Sequence, residues 1–232
     1  LWAVLSLPDK RGGGWRLEEF LATGERDVAG AHGRLRRAGA AGRFAAVLDF
    51  GCGVGRLARA WADRAEQVTG VDISASMLEH ARRILADRPD VRLVHNEAPD
   101  LRVLPDASFD LVSSLICLQH MPWPVAAGYL GEFARVCRPG GWVAFQLPAR
   151  GPDSGRAARW RKRLVDALPF GLAAAYRRWR HGSSAVFDVF YTPRPAVEAR
   201  LQAAGLAVIA AEPDASAGPG TEGYFYLARK AA

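Results

Sequence analysis

The sequence predicts an α/β fold: a three-layer, Rossmann-like sheet of seven mostly parallel strands with an antiparallel last strand, plus a helical insertion acting as a lid. Three observations predict it. From residue 45 onward, short apolar runs alternate with stretches of helical spacing, and that alternation implies right-handed crossovers and a parallel sheet covered on both faces. The first run leads straight into a glycine cluster at 51–55 that opens a helix. The chain closes on two apolar runs joined by the turn-rich stretch Pro213 to Glu222, and such runs pair most simply as an antiparallel hairpin.

The elements follow in order. Residues 1–44 read as a leader, or cap, with one or two helices around Glu18 to Arg37, broken by glycines. Strands are expected at Ala45 to Phe50, Gln67 to Asp72, Val91 to His95, Phe109 to Leu115 and Gly141 to Leu147. Helical spacing covers Arg56 to Arg64, Ala75 to Ala86 and Val125 to Cys137, the second opened by a capping-box pattern at Ser76 and Glu79. Arg194 to Ala204 is a helix closed by Gly205, followed by strands at Leu206 to Ala211 and Gly223 to Arg229. The expected organisation is leader 1–44, ligand-binding core 45–150, basic helical insertion 151–190, and closing helix and hairpin 191–232.

Composition excludes several classes. A chain that is 50% hydrophobic and 24% charged offsets its ordering entropy, which argues against disorder. Cys52, Cys117 and Cys137 share no metal-ligand spacing and make no disulfide framework, so they read as reduced thiols of a cytoplasmic protein without a metal. The apolar run Leu1 to Leu7 is too short for a membrane span and lacks a signal-peptide pattern. The net charge of +7 resides in one place: residues 150–181 hold nine basic and two acidic side chains, and the remainder is balanced.

The glycine cluster carries the chemistry. Gly51-Cys52-Gly53-Val54-Gly55 joins a strand to a helix, where glycines admit a ligand close to the backbone and free amides at the helix start favour an anionic group. Asp72 ends the next strand 21 residues after Gly51, where its carboxylate can accept both hydroxyls of a ribose. A nucleoside ligand follows. The last glycine comes two residues after Gly53, whereas the dinucleotide fingerprint needs three, so the spacing is not that of a dehydrogenase.

At this point the chain resembles the class I S-adenosylmethionine-dependent methyltransferases. The resemblance is carried by Val47-Leu48-Asp49-Phe50-Gly51-Cys52-Gly53-Val54-Gly55, Val71-Asp72-Ile73-Ser74, Phe109-Asp110-Leu111-Val112-Ser113 and Arg138-Pro139-Gly140-Gly141, over about 45–147. It implies S-adenosylmethionine as cofactor, with Gly51, Cys52, Gly53 and Gly55 facing its methionine and ribose and Asp49 ordering the loop. By the same resemblance Asp72 holds the ribose, Ile73 and Met77 pack on adenine, Glu97 and Ala98 line its polar edge, and Leu115 ends the strand beside it. Arg56 is a candidate partner for the cofactor's carboxylate.

Methyl transfer from a sulfonium is a direct displacement that needs alignment more than covalent chemistry. A base matters for a hydroxyl acceptor, and His120, following the fourth strand in Leu118-Gln119-His120-Met121-Pro122, is the candidate. Gln119, Trp15 and Tyr191 are expected to contact the acceptor, with Trp2 and Phe187 as further aromatic closure. In the basic segment, Ala157, Trp160, Leu164 and Leu168 recur at helical spacing among arginines, which reads as an amphipathic lid. Residues 156–181 suit an anionic acceptor, an acidic carrier protein or a membrane surface, and a nucleic acid ranks below these. The expected activity is O-methylation of a small or lipid-linked metabolite. The alternatives are a non-catalytic cofactor-binding scaffold, or N- or C-methylation of a small molecule or RNA.

Overall fold

In a computed structural model of the chain, residues 14–151, 189–218 and 220–232 are described. Seven strands form one sheet in the order β3-β2-β1-β4-β5-β7-β6. They are β1 (Phe44–Phe50), β2 (Ala65–Asp72), β3 (Val91–His95), β4 (Phe109–Ser114), β5 (Cys137–Arg150), β6 (Leu206–Asp214) and β7 (Glu222–Lys230). The pairs among β1 to β5 are parallel, and β7 runs antiparallel to both β5 and β6. The last strand alone is reversed, as the sequence predicts.

Alternation along each strand builds two cores. Val47, Leu111, Ala144 and Phe225 face one layer, while Leu48, Val112, Phe145 and Tyr226 face the other. The first layer is covered by α1 (Leu17–Arg37) and α2 (Arg56–Ala62), the second by α4 (Trp123–Val136) and α5 (Arg194–Ala203). The remaining helix, α3 (Ala75–Ile84), follows β2.

Three local expectations change. Residues Leu17–Arg37 form one helix unbroken at its glycines, because Phe20, Gly24, Val28, Ala31 and Leu35 form a buried stripe whose packing outweighs the low helix propensity of glycine. Its charges suit the helix dipole, with Glu18 and Glu19 in the first turn and Arg34, Arg36 and Arg37 in the last. Second, the cap of α3 is Ser74, whose Oγ accepts the Met77 amide at 3.3 Å, while Glu79 turns to Arg83 instead of closing a capping box. Third, β5 starts at Cys137 and runs through the Pro-Gly-Gly turn, with an irregular register opposite Phe109 to Leu111. The anticipated lid at 156–181 lies outside the described residues, as do Trp2 and Phe187. Among the described residues no helix is long and apolar enough to cross a membrane.

Gly24 shows how tightly α1 docks. A Cβ there would lie 2.5 Å from the Arg56 carbonyl oxygen and 2.7 Å from its Cγ. Gly24→Ala is therefore expected to destabilise the fold by about 1–3 kcal/mol through overpacking, although an isolated helix would gain about 1 kcal/mol. Urea unfolding measures the sign; a more stable variant would show that α1 does not pack this closely.

Candidate active site

The ends of β1, β2 and β4 converge on the glycine loop. Gly51, Gly53 and Gly55 have φ of 76°, 54° and 83°, in the left-handed region that glycine enters without a Cβ penalty. The amides of Gly51 and Cys52 donate to the Val71 carbonyl at 2.8 and 3.1 Å, and the Gly55 amide to Cys52 at 2.9 Å. The Gly53 amide donates to Asp72 Oδ2 at 2.8 Å. These four amides are thus engaged by β2 and by the loop, and the first turn of the seven-residue α2 directs the Ala58 amide at the buried Asp49 carboxylate. Packing also demands two of the glycines. A Cβ on Gly51 would collide with the Cys117 thiol, and one on Gly55 would lie 2.5 Å from Leu85.

Asp72 is held from both sides. Its Oδ1 accepts the Ser74 amide at 2.8 Å, opposite the Gly53 bond to Oδ2, which leaves further lone pairs on each oxygen. Beside it, Ile73 is 67% exposed, a large apolar side chain standing free at a strand end. The Ile73 carbonyl lies 2.9 Å from His95 Nε2, and Glu97 Oε1 lies 3.4 Å from the same nitrogen. Asn96 donates its amide to the Asp72 carbonyl at 3.1 Å, and the Ala98 carbonyl accepts the Tyr129 hydroxyl at 3.1 Å. Met77 is half-buried on the first turn of α3, and Leu115 is buried after β4. Carboxylate, apolar platform and polar rim together fit a nucleoside.

Beneath the loop, Asp49 is fully buried and neither carboxylate oxygen has a hydrogen-bond partner. Desolvation raises its pKa to about 7, opposed by the Arg56 charge and assisted by that of Asp72. Arg56 reaches towards the leader helix. It is buried, and its Nη1 donates to Asp27 Oδ2 at 2.5 Å and to Thr23 Oγ1 at 3.2 Å, both on α1. Both bonds use Nη1, and Arg56 Nε has no hydrogen-bond partner among the described residues. Burial also pushes the Cys117 thiol up to about 12 and the Cys52 thiol well above its ordinary value, reinforced by Asp49 and Asp72. Both thiols are therefore neutral packing groups, not nucleophiles. Ile116 between β4 and Cys117 has a φ of 57°, an outlier for a β-branched residue.

Residues 47–141 match the family model described as a methyltransferase domain. These residues are a class I S-adenosylmethionine-dependent methyltransferase domain. Over 129 residues the chain is 40% identical to a malonyl-[acyl-carrier protein] O-methyltransferase of Enterobacter lignolyticus, covering 55% of this chain and 47% of that protein. Over 101 residues it is 39% identical to a ubiquinone biosynthesis O-methyltransferase of Paracidovorax citrulli, covering 43% and 42%. The match spans less than half the length of each of these relatives. The crystal structure of magnesium protoporphyrin IX methyltransferase from Synechocystis with bound SAH shares the fold, with a TM-score of 0.63 at 16% identity, covering 96% of this chain and 91% of that one.

On the other side of the methyltransferase domain's loop, a short 3-10 turn at Leu118–His120 follows β4 and leaves His120 exposed. The side-chain nitrogen of buried Gln119 lies 3.4 Å from His120 Nε2. A strand-like strap crosses here: the Phe190 amide donates to the Gln119 carbonyl at 2.8 Å and the Thr192 amide to Pro148 at 2.9 Å. Tyr191 packs on Gly151, where a Cβ would collide with its ring. Trp15 stacks edge-on against Phe20 at 5.6 Å, and Phe20 lies under the Arg56 guanidinium at 6.0 Å. Gln119 and Tyr191 therefore meet at the β4 and β5 ends, whereas Trp15 belongs to the α1 contact. Sequence reasoning missed Asp27, Thr23 and Cys117, which no local pattern singles out.

Asp49 makes stability depend on pH with a definite sign. A buried acid whose pKa is raised binds its proton more tightly in the folded state, so folding stability falls as pH rises from the ordinary carboxylate range towards about 7. Compared with Asp49→Asn, which cannot ionise, the unmodified protein should lose up to about 1.4 kcal/mol per pH unit across that window and nothing further above it. Urea melts of both proteins at acidic and neutral pH test this; a difference independent of pH would mean that Asp49 ionises freely.

Proposed function

We propose that the chain is an S-adenosylmethionine-dependent O-methyltransferase acting on a small or lipid-linked acceptor, carrier-bound acceptors included. The observation that carries the reading is Asp72, fixed by the Gly53 and Ser74 amides at the end of β2 with lone pairs to spare. When bound, S-adenosylmethionine supplies an activated methyl group on a sulfonium. Asp72 binds the ribose hydroxyls, Ile73 and Met77 pack on the adenine, and Glu97 with the Ala98 segment borders its polar edge. Gly51 to Gly55 bound the methionine side.

The residues beyond β4 then position the acceptor. Holding two reacting groups in line lowers the barrier by up to about 7–11 kcal/mol, so the protein's main contribution is alignment and exclusion of water. Gln119 and Tyr191 line the acceptor side, and His120 takes the proton of the acceptor hydroxyl at Nε2, the hydroxyl displacing the long 3.4 Å contact that the Gln119 side-chain nitrogen makes there. The relatives act, by name, on malonyl-[acyl-carrier protein] and in ubiquinone biosynthesis, which supports oxygen as the atom methylated.

Two substitutions separate the roles. Asp72→Ala is expected to weaken S-adenosylhomocysteine binding about tenfold or more, the loss of charged hydrogen bonds worth about 1.5–3 kcal/mol; calorimetry giving equal affinity would place the ribose elsewhere. His120→Ala should lower the turnover rate by about 10² or more with cofactor affinity unchanged. An unaltered rate would remove His120 from the chemistry.

A further inference from the structure

The parallel strands β2 and β3 pair Asp72 with His95 in register, so the neighbour of the ribose-binding carboxylate is an imidazole. His95 Nε2 lies 2.9 Å from the Ile73 carbonyl and 3.4 Å from Glu97 Oε1. A carbonyl and an ionised carboxylate only accept hydrogen bonds, so this nitrogen carries a proton and donates it to Ile73, with Glu97 as the second, longer acceptor. One N–H therefore ties the residue that follows β2 to the segment that follows β3.

Both acceptors need an anchor. Ile73 is 67% exposed, so packing does little to fix it. Its backbone is clamped instead: Asp72 Oδ1 holds the next amide, that of Ser74, at 2.8 Å, and His95 holds the Ile73 carbonyl. The Glu97 side chain is 76% exposed, and a long exposed carboxylate left to itself samples many rotamers. Its backbone is set by Asn96, whose side-chain amide donates to the Asp100 carbonyl at 2.6 Å and whose main-chain amide is bonded to Asp72. His95 adds the remaining constraint by engaging Oε1, which leaves the lone pairs of Oε2 for an incoming N–H. An apolar surface and an oriented acceptor are thus held to each other through a single ring.

We infer that His95 is a positioning residue for base selection: by fixing Ile73 and the Glu97 carboxylate against each other, it makes the site prefer a purine with an exocyclic amine over one with a carbonyl at that position. An amine donates to Glu97, whereas a carbonyl sets two acceptors face to face. This selection rests on the S-adenosylmethionine reading, since Ile73 and Glu97 meet a base only if a nucleoside is the ligand. His95 touches no part of the ligand itself and acts through its two partners.

The test is calorimetry on the full chain with S-adenosylhomocysteine and with S-inosylhomocysteine, which carries a carbonyl in place of the adenine amine. The unmodified chain is expected to bind the adenine compound about fivefold or more tightly. His95→Leu should cut that preference about two- to fivefold, the worth of an exposed charged contact. His95→Gln, whose amide nitrogen reaches the Ile73 carbonyl in place of the imidazole, should keep it. Equal binding of the two compounds by the unmodified chain, a preference untouched in His95→Leu, a loss shared equally by both compounds, or a Gln variant no better than the Leu variant would each overturn the assignment. If the Leu variant fails to fold, NMR of the imidazole nitrogens in the unmodified chain decides: a proton on His95 Nε2 supports the role, and a proton on Nδ1 alone overturns it. Failure of S-adenosylhomocysteine to bind the unmodified chain would instead strike the cofactor reading.

Discussion

One carboxylate organises this site. Asp72 accepts the Gly53 amide from the loop after β1 and the Ser74 amide that begins the turn into α3, while its own carbonyl receives Asn96 from the segment after β3. Three strand ends are tied through a single residue. Hydrogen bonds to a charged acceptor are shorter and stronger than neutral ones, so they hold the glycine loop in a left-handed path that few other contacts would enforce. The amides of Gly51, Cys52 and Gly55 close on Val71 and Cys52. The result is a rigid rim whose outward-facing chemistry comes from side chains, with the backbone supplying the frame.

Under that rim lies an electrostatic column that joins the leader to the core. Asp49, buried without a hydrogen-bond partner, is stabilised in its charged form chiefly by Arg56, and Arg56 is in turn bonded to Asp27 and Thr23 of α1. Burying a guanidinium is costly unless it is paired, and here the pairing partner belongs to a different element. Gly24 completes the arrangement by letting α1 approach the first residue of α2 at backbone distance. The leader helix is therefore part of the platform beneath the glycine loop, even though it lies outside the residues that match the methyltransferase model.

Much of this was legible in the sequence, and the gaps have a common cause. The strand at Val91–His95 is where its apolar run ends, and Asp72 was identifiable because its distance from Gly51 is imposed by one strand-helix-strand unit. Features set by a partner remote in sequence were not. Nothing in the sequence places Asp27 beside Arg56, and the cap of α3 moves to Ser74 because Asp72 captures its amide. The glycines of α1 resemble breaks but mark contacts. His95 carried no motif at all, since the carbonyl it holds lies 22 positions away at the end of another strand. Local propensity and pattern find the elements; the polar partners follow from topology.

The position of β7 has a bearing on how the chain assembles. It lies between β5 and β6 and bonds to both along its length, so β6, although synthesised earlier, has no neighbour until residues 222–230 have left the ribosome. Until then β5 also shows one unpaired edge, and both are open to association with other chains. Closure requires contacts such as Lys230 Nζ with the Cys137 carbonyl, 93 positions apart at 2.8 Å, and such distant closures are slow to form. Nascent chains paused before this stretch would carry the glycine loop beside a sheet with an unpaired β5 edge and an unpaired β6, a state open to edge-to-edge association.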